Sequence, residues 1–196
     1  MKRFTKAILP VLLLSTVLSG CGAAADYSTL RINSKGGLTQ TIVEDWDQEQ
    51  YDKNELETQI TSDIASYGSA VQLDSIKVKD SSIVVRRTYA DTDTYTAYNG
   101  VPLFEGSIAA CQAAGYLLEG EFKNADGEAM DRTEVLNFDD TCTVLVFQEP
   151  VEVTVPGKII SYTSSLEMTG KRSVKAVQDE GSEEILLSAP VYVIYK

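Results

Sequence analysis

Histidine is absent from this 196-residue sequence, and basic residues are few. Without histidine there is no Ser-His-Asp or Cys-His catalytic site, no histidine-ligated metal and no side chain that ordinarily exchanges protons near neutral pH. The 17 Lys and Arg residues face 29 Asp and Glu residues, which gives a formal net charge of −12. A nucleic-acid-binding protein needs clustered positive charge, so this balance argues against that class.

Internal repeats and low-complexity segments are also absent, and the length is that of one domain. Apolar residues make up 43% of the chain, which is enough to build a hydrophobic core. No arrangement of residues typical of a catalytic or cofactor site stands out. The sequence therefore predicts neither a cofactor nor enzyme activity.

The first twenty residues have the pattern of a signal peptide. Lys2, Arg3 and Lys6 precede an apolar run, and residues 8–18 would span only about 17 Å as a helix, against about 30 Å of membrane hydrocarbon. The segment ends in Leu18-Ser19-Gly20-Cys21, which matches the lipobox of bacterial lipoproteins at all four positions. In that motif the small residues fit the signal peptidase, and the cysteine thiol accepts a diacylglyceryl group. An ordinary secretory signal followed by an unrelated cysteine is the alternative.

The lipobox predicts a protein anchored to the cell membrane by lipid, with its folded part on the extracytoplasmic face. Two or three acyl chains of the palmitate type hold a protein on a bilayer stably, whereas one chain does not. We therefore expect a signal peptide at residues 1–20, a short tether at residues 21–27 and a folded domain at residues 28–196. Cleavage would remove three basic residues and no acidic ones, so an anionic membrane surface would repel the mature domain.

Cys111 and Cys142 are the cysteines that remain once Cys21 carries lipid. Outside the cytoplasm a disulfide between them would close a loop of about 32 residues and stabilise the fold by about 3–4 kcal/mol. Neither their spacing nor their surroundings favour pairing, so two buried free thiols are the simpler expectation.

Alternating apolar and polar residues predict strands through most of the chain. Hairpins are expected around Lys35-Gly36-Gly37 and around Asp80-Ser81-Ser82. Pro190 falls within an expected final strand at residues 185–195, and proline in a strand indicates an edge position or a bulge.

Helices are expected after Asp52, over residues 92–98 and after Ser107. The helix after Asp52 would carry its apolar residues on one face, and these are Leu56, Ile60, Ile64 and Tyr67. The elements together predict the α+β class, as a single domain in which two or three helices cover one mostly antiparallel β-sheet.

Several segments also resemble a known family. The lipobox is followed by a strand hairpin, Leu30-Arg-Ile-Asn33 and Thr39-Gln-Thr-Ile-Val-Glu44, and then by a capped helix; Val153-Thr-Val-Pro-Gly157-Lys-Ile159 precedes a hairpin with Thr169-Gly170. Together these features resemble the LppM-type lipoprotein family and, more closely, the small uncharacterised lipoproteins of Firmicutes. Residues 90–145 take no part in the resemblance. It implies an α+β domain without enzyme activity, and a concave sheet that takes an amphipathic or lipid-like ligand.

Trp46, the only tryptophan, is the first candidate for a ligand surface. It lies among Glu44, Asp45, Asp47 and Glu49, and an aromatic ring beside carboxylates suits a cation or a glycan. The alternative is a solvated connection between a strand and a helix, held in place by one buried ring.

Tyr89, Tyr95 and Tyr98 form the second candidate surface, because tyrosine offers a large contact area at a small entropic cost. The alternative is that they fill the sheet edge and the helix contacts. Arg86 and Arg87 point to opposite faces of one strand. We expect one of them to meet solvent and the other to pair with an acid or bind an anionic ligand.

The acidic pairs Asp91 with Asp93 and Asp139 with Asp140 have the chemistry of metal ligands. Residues 124–127 look like part of an EF-hand loop, but Phe122 and Thr133 stand where such a loop needs acidic residues. The sequence therefore predicts no metal site, with an irregular acidic calcium site as the alternative.

The favoured function is binding by a non-enzymatic envelope lipoprotein, which holds a lipid-like ligand or a protein partner at the outer face of the membrane. Two alternatives stay open. One is an envelope enzyme that acts on glycans through two carboxylates, one of them with a raised pKa. The other is an adhesion or assembly module that uses an exposed sheet edge.

Overall fold

The described residues of this computed structural model, 27–177 and 186–196, form thirteen strands, four α-helices and one 3-10 helix. The strands are β1 (Thr29–Ile32), β2 (Leu38–Asp45), β3 (Val71–Lys79), β4 (Ser82–Tyr89), β5 (Leu103–Gly106), β6 (Phe122–Asn124), β7 (Ala129–Met130), β8 (Thr143–Phe147), β9 (Glu152–Thr154), β10 (Ile159–Thr163), β11 (Leu166–Gly170), β12 (Ser173–Ala176) and β13 (Val191–Tyr195). The helices are α1 (Lys53–Ile64), α2 (Thr92–Asn99), α3 (Ile108–Ala113), α4 (Arg132–Leu136) and the 3-10 helix Ala65–Ala70. The predicted signal peptide and Cys21 lie outside the described residues.

The strands divide into two sheets. The first has the order β11-β12-β9-β1-β2-β4-β3, and the second has the order β5-β8-β13-β10-β6-β7. Only the β1–β9 pair among these neighbours is parallel. The α+β class and the antiparallel character are therefore confirmed, with two sheets where one was expected and four α-helices where two or three were expected. Alternation shows which side chains share a face, but it does not show which strands pair.

The two sheets pack face to face around a shared core. Leu30, Leu38 and Val153 from the first sheet lie in one buried cluster with Leu145 and Val193 from the second. Burying the two inner faces against each other removes their apolar side chains from water, which stabilises the fold.

The second sheet is covered on its outer face as well. Val144 and Ile194 point away from the shared core and pack with Cys111 of α3 and Val135 of α4. Strands buried on both faces have near-continuous apolar sequences, as in Val191-Tyr-Val-Ile-Tyr195.

The predicted edge position of Pro190 is wrong. The final strand β13 is shorter than expected and lies in the middle of the second sheet, between β8 and β10. Pro190 stands just before Val191, so its missing N–H removes no hydrogen bond from the sheet.

The predicted hairpins and helix starts are confirmed. Asp52 caps α1 by accepting hydrogen bonds from the backbone N–H groups of Asn54 and Glu55, at 2.6 and 3.2 Å. Asp91 caps α2 and Ser107 caps α3 in the same way. Each cap satisfies backbone donors that the first helical turn leaves without a partner.

Candidate functional site

An open groove of about 770 Å³ lies between strands β2 and β4 of the first sheet on one side and α1, the 3-10 helix and the end of α2 on the other. Its floor is made by alternate residues of two paired strands and by the residue after β2: Ile42, Glu44, Trp46, Ile83, Val85 and Arg87. Ile42 pairs with Val85 and Glu44 pairs with Ile83, so these side chains share one face. The same face carries Leu38 and Tyr89 into the shared core.

Helix α1 forms the opposite wall of the groove. Leu56 and Ile60 of α1 lie over the sheet and pack with Trp46, Ile83 and Val85 in a separate small cluster. The predicted apolar face is thereby confirmed, because Ile64 packs against the same cluster and Tyr67, in the 3-10 helix after α1, packs against the shared core. The sheet continues past the end of the shared core, and α1 covers this extension incompletely, because Ile42 and Leu56 stay half-buried.

The polar end of the groove is built around Arg87. Arg87 pairs across the strands with Gln40, between the Leu38–Tyr89 pair of the shared core and the Ile42–Val85 pair of the groove floor. Its guanidinium carbon lies 5.1 Å from the centroid of the Tyr98 ring. The arginine is thus held by stacking on an aromatic face at the junction of two apolar clusters.

Arg87 is half-buried but lacks the partners that an arginine in such a position ordinarily has. Its Nε is buried and has no hydrogen-bond partner among the described residues, and the two ion pairs found there, Arg86–Asp74 and Lys196–Asp139, do not include it. A buried polar group left without a hydrogen bond costs about 1–3 kcal/mol, and more when it is charged. Of the two adjacent arginines, Arg86 meets solvent as expected, but it is also the one that pairs with an acid, Asp74, at 3.5 Å on the other face. The acid partner expected for the other arginine is not found for Arg87 among the described residues.

Two carboxylates also line the groove. Burial raises the pKa of Glu44 above its ordinary value, while the charge of Arg87 acts in the opposite direction. Asp63, near the end of α1, lines the same groove and is exposed. The groove therefore combines apolar walls, one unpaired cation and two acids.

Tyr89 and Tyr95 are not part of a ligand surface, which corrects the prediction for these two residues. Their exposed fractions are 1% and 0%. Gln40 connects them, because its amide nitrogen donates to the Tyr95 hydroxyl at 2.9 Å and its amide oxygen accepts from the Tyr89 hydroxyl at 2.8 Å. The Tyr95 hydroxyl in turn donates to Glu149.

This buried network sets the ionisation of its members. Burial raises the pKa of Tyr89 to about 12 and holds that of Tyr95 well above its ordinary value. Burial also raises the pKa of Glu149, against the hydrogen bond from Tyr95 and the charge of Arg87. Sequence reasoning missed Glu149 altogether. Gln40 could have been noticed, because it is a polar residue on the same strand face as the apolar Leu38 and Ile42.

Tyr98 and Trp46, the other two predicted surface residues, do line the groove. Trp46 is 8% exposed, and its ring lies 5.4 Å from that of Tyr51. Of the acids beside it, Asp47 accepts hydrogen bonds from the Glu49 backbone at 2.9 Å and from the Gln50 side chain at 2.8 Å. Asp47 therefore stabilises the turn between β2 and α1.

Cys111 and Cys142 are free thiols, so the disulfide alternative is wrong and the simpler expectation holds. Both are buried in the cluster on the outer face of the second sheet. Burial raises the pKa of Cys111 to about 11 and also raises that of Cys142. Each thiol behaves as a small apolar side chain.

Two of the four acids considered as metal ligands have local structural roles. Asp91 accepts from the Thr94 backbone at 2.7 Å, and Asp139 accepts from the Thr141 backbone and the Lys196 ammonium at 2.9 Å each. Asn124 accepts from two backbone N–H groups within its turn. Within residues 27–177 and 186–196, no three His, Cys, Asp or Glu side chains converge on one point as a metal site would require.

No family model matches this chain, and neither a curated protein nor a solved structure matches it. The resemblance to the LppM-type lipoproteins therefore stays a prediction. None of the helices in the described part of the chain is long and apolar enough to cross a membrane.

Proposed function

We propose that this chain is a lipid-anchored cell-envelope lipoprotein that binds, without catalysis, an apolar or amphipathic ligand in the groove between β2, β4 and α1. The observation that carries the proposal is the groove itself. Its volume of about 770 Å³ is within the range of small-molecule sites, and its walls are mainly apolar. Ile42 and Leu56 remain half-buried in it, so a ligand would gain by covering them.

The anchor in this proposal is Cys21. The lipobox Leu18-Ser19-Gly20-Cys21 supports it, together with the basic residues and the short apolar run that precede it. Metabolic labelling with a palmitate analogue tests the anchor, since the full-length chain should incorporate the label and the Cys21→Ala variant should not. Label in that variant would contradict lipidation at Cys21.

The binding proposal is tested on residues 26–196, which contain both sheets and every residue of the three buried clusters. Native mass spectrometry of this protein, purified without detergent, should show an adduct that is lost on denaturation. Titration with decanol, a neutral apolar probe, should change the emission of Trp46, because the only tryptophan of the chain lines the groove.

A matched pair of variants assigns the probe to the groove. Ile42 faces the groove, whereas its neighbour Val43 is also half-buried but points to the opposite face of β2. The Ile42→Asn change should weaken decanol binding about tenfold, and Val43→Asn should leave it unchanged. If decanol changes neither the Trp46 emission nor the measured mass of the protein, and the purified protein carries no adduct, the groove is not a site for neutral apolar ligands.

A glycan-acting enzyme is the second candidate function, because Glu44 and Asp63 line the same groove and burial raises the pKa of Glu44. A carboxyl group with a raised pKa is the general acid that this chemistry needs. Incubation with peptidoglycan fragments, followed by mass spectrometry, tests it. Turnover by the native chain that the Glu44→Gln variant lacks would favour the enzyme, and no turnover by either would remove it.

The assembly alternative finds less support. The long edge strand β3 carries Lys77 and Lys79, and its register shifts between Leu73 and Ser75. Lysines and irregular register at an edge both discourage strand addition.

A further inference from the structure

We propose that the groove selects apolar monocarboxylates and that the guanidinium of Arg87 binds their carboxylate. This inference rests on the proposed function and names the chemical class of its ligand. The ligand so defined is more than an apolar molecule, because it carries one negative charge and that charge lies at the Arg87 end of the groove.

The position follows from the surroundings of Arg87. The guanidinium stacks on the Tyr98 ring, 5.1 Å from its centroid, and lies on the strand face that forms the groove floor. A cation–π contact uses none of the N–H donors of the guanidinium, so these donors remain for an oxygen ligand. The Nε is covered by the protein, whereas the two outer guanidinium nitrogens are not among the buried atoms and make no ion pair among the described residues. A carboxylate in the groove would supply these outer nitrogens with acceptors that the fold itself does not.

The apolar part of the ligand follows from what lies next to Arg87. The adjacent pair on the floor is Ile42 with Val85, and Trp46 lies beyond it, under Leu56 and Ile60 of α1. A ligand whose carboxylate meets Arg87 would therefore lay its apolar body along this face. The single cation at one end and the apolar walls beyond it suit an amphiphile.

The two acids of the groove, Glu44 and Asp63, are the reason why we expect the ligand to carry a single negative charge. Glu44 lies four residues along β2 from Gln40, the partner of Arg87, which is about 13 Å at the rise of a strand. Glu44 is therefore not the residue that lies opposite Arg87 in the sheet, since Gln40 has that position. Together with Asp63, however, Glu44 makes the groove unfavourable for a second negative charge on the ligand. A phosphate monoester carries about 1.5 to 2 negative charges at pH 7, so the groove should prefer a carboxylate.

The test compares three ten-carbon probes that differ only in the head group: decanoate, decanol and decyl phosphate. Binding to residues 26–196 is followed through Trp46 emission at concentrations below micelle formation. We expect the native protein to bind decanoate at least tenfold more tightly than decanol, and more tightly than decyl phosphate. Tighter binding of decyl phosphate would overturn the monocarboxylate assignment.

The adjacent arginines give a matched control. Arg87→Gln should lower the affinity for decanoate about tenfold, to the level of decanol, and leave decanol binding unchanged. Arg86→Gln should change neither, because Arg86 lies on the opposite face and pairs with Asp74. Arg87→Lys, which keeps the charge but loses the planar donor geometry, should fall between the two.

The outcomes separate this inference from the function on which it rests. If native protein binds decanol and decanoate equally, or if Arg87→Gln binds decanoate as the native protein does, the role of Arg87 is refuted while the groove remains a ligand site. If no probe binds, the proposed function fails. The comparison of probes on the native protein needs no variant, so it decides the question even if Arg87→Gln does not fold.

Discussion

The buried hydroxyl of Tyr95 offers a direct test of how the two sheets are connected. It accepts from Gln40 of β2 at 2.9 Å and donates to Glu149, which follows β8 of the second sheet. Replacing Tyr95 with Phe keeps the ring, including its contact with Tyr89 at 4.9 Å between centroids, and removes only the hydroxyl. The Gln40 amide and the Glu149 carboxylate then both lose a partner in a site where Tyr95 is fully buried.

The magnitude follows from these two losses. A buried polar group without a partner costs about 1–3 kcal/mol, and an ionised one costs more, so Tyr95→Phe should destabilise the fold by about 2–5 kcal/mol. At this chain length that lowers Tm by about 5–15 °C. Urea unfolding of residues 26–196, followed by Trp46 emission and by circular dichroism, measures the change. Tyr162→Phe, in the same core, is the control and should stay within about 0.5 kcal/mol of the native protein.

The pH dependence of this effect has a definite sign. Burial raises the pKa of Glu149 in the folded protein above its ordinary value of 4.5. Because the folded state favours the protonated carboxyl, the contribution of Glu149 to stability is greatest below pH 4.5 and is lost as pH rises through its folded pKa. Without the Tyr95 hydroxyl the carboxylate is less tolerated, so the variant should lose more stability at pH 8 than at pH 5. A Tyr95→Phe protein as stable as the native one at both pH values would refute the role of this network.

Three further predictions test the groove and the core separately. Glu44→Gln should raise Tm at pH 7 and leave it unchanged at pH 4, because burial raises the pKa of Glu44 and only the ionised form is unfavourable in the fold. Equal changes in Tm at the two pH values would contradict this. Ile60→Ala should lower the free energy of unfolding, measured in urea, by about 2–4 kcal/mol. The control Thr61→Ala, at an exposed position, should change it by about 0.5 kcal/mol or less. Similar losses in the two variants would mean that α1 does not pack as described. Cys111 and Cys142 should react with a thiol reagent at pH 8 only after denaturation, and rapid reaction in the native protein would show that the thiols are accessible.

The local parts of the fold could be predicted because their causes are local. Asp52, Asp91 and Ser107 mark helix starts, since the capping side chain and the donors that it satisfies lie within three residues of each other. The turns at residues 35–37 and 80–82 follow from short-range backbone preferences in the same way. The lack of histidine restricted the chemistry of the chain without any structure.

Only the tertiary structure decided which elements meet. The partition into two sheets, the central position of β13 and the burial of Tyr89 and Tyr95 depend on pairings between segments that are far apart in the chain. Tyr95 meets Glu149 across 54 residues, and no local pattern connects them. Alternation along β4 placed Arg86 and Arg87 on opposite faces of the sheet. Which of these faces forms a groove was decided by α1, because that helix covers the sheet beyond the shared core. It leaves Arg87 at the junction without an ion pair among the described residues.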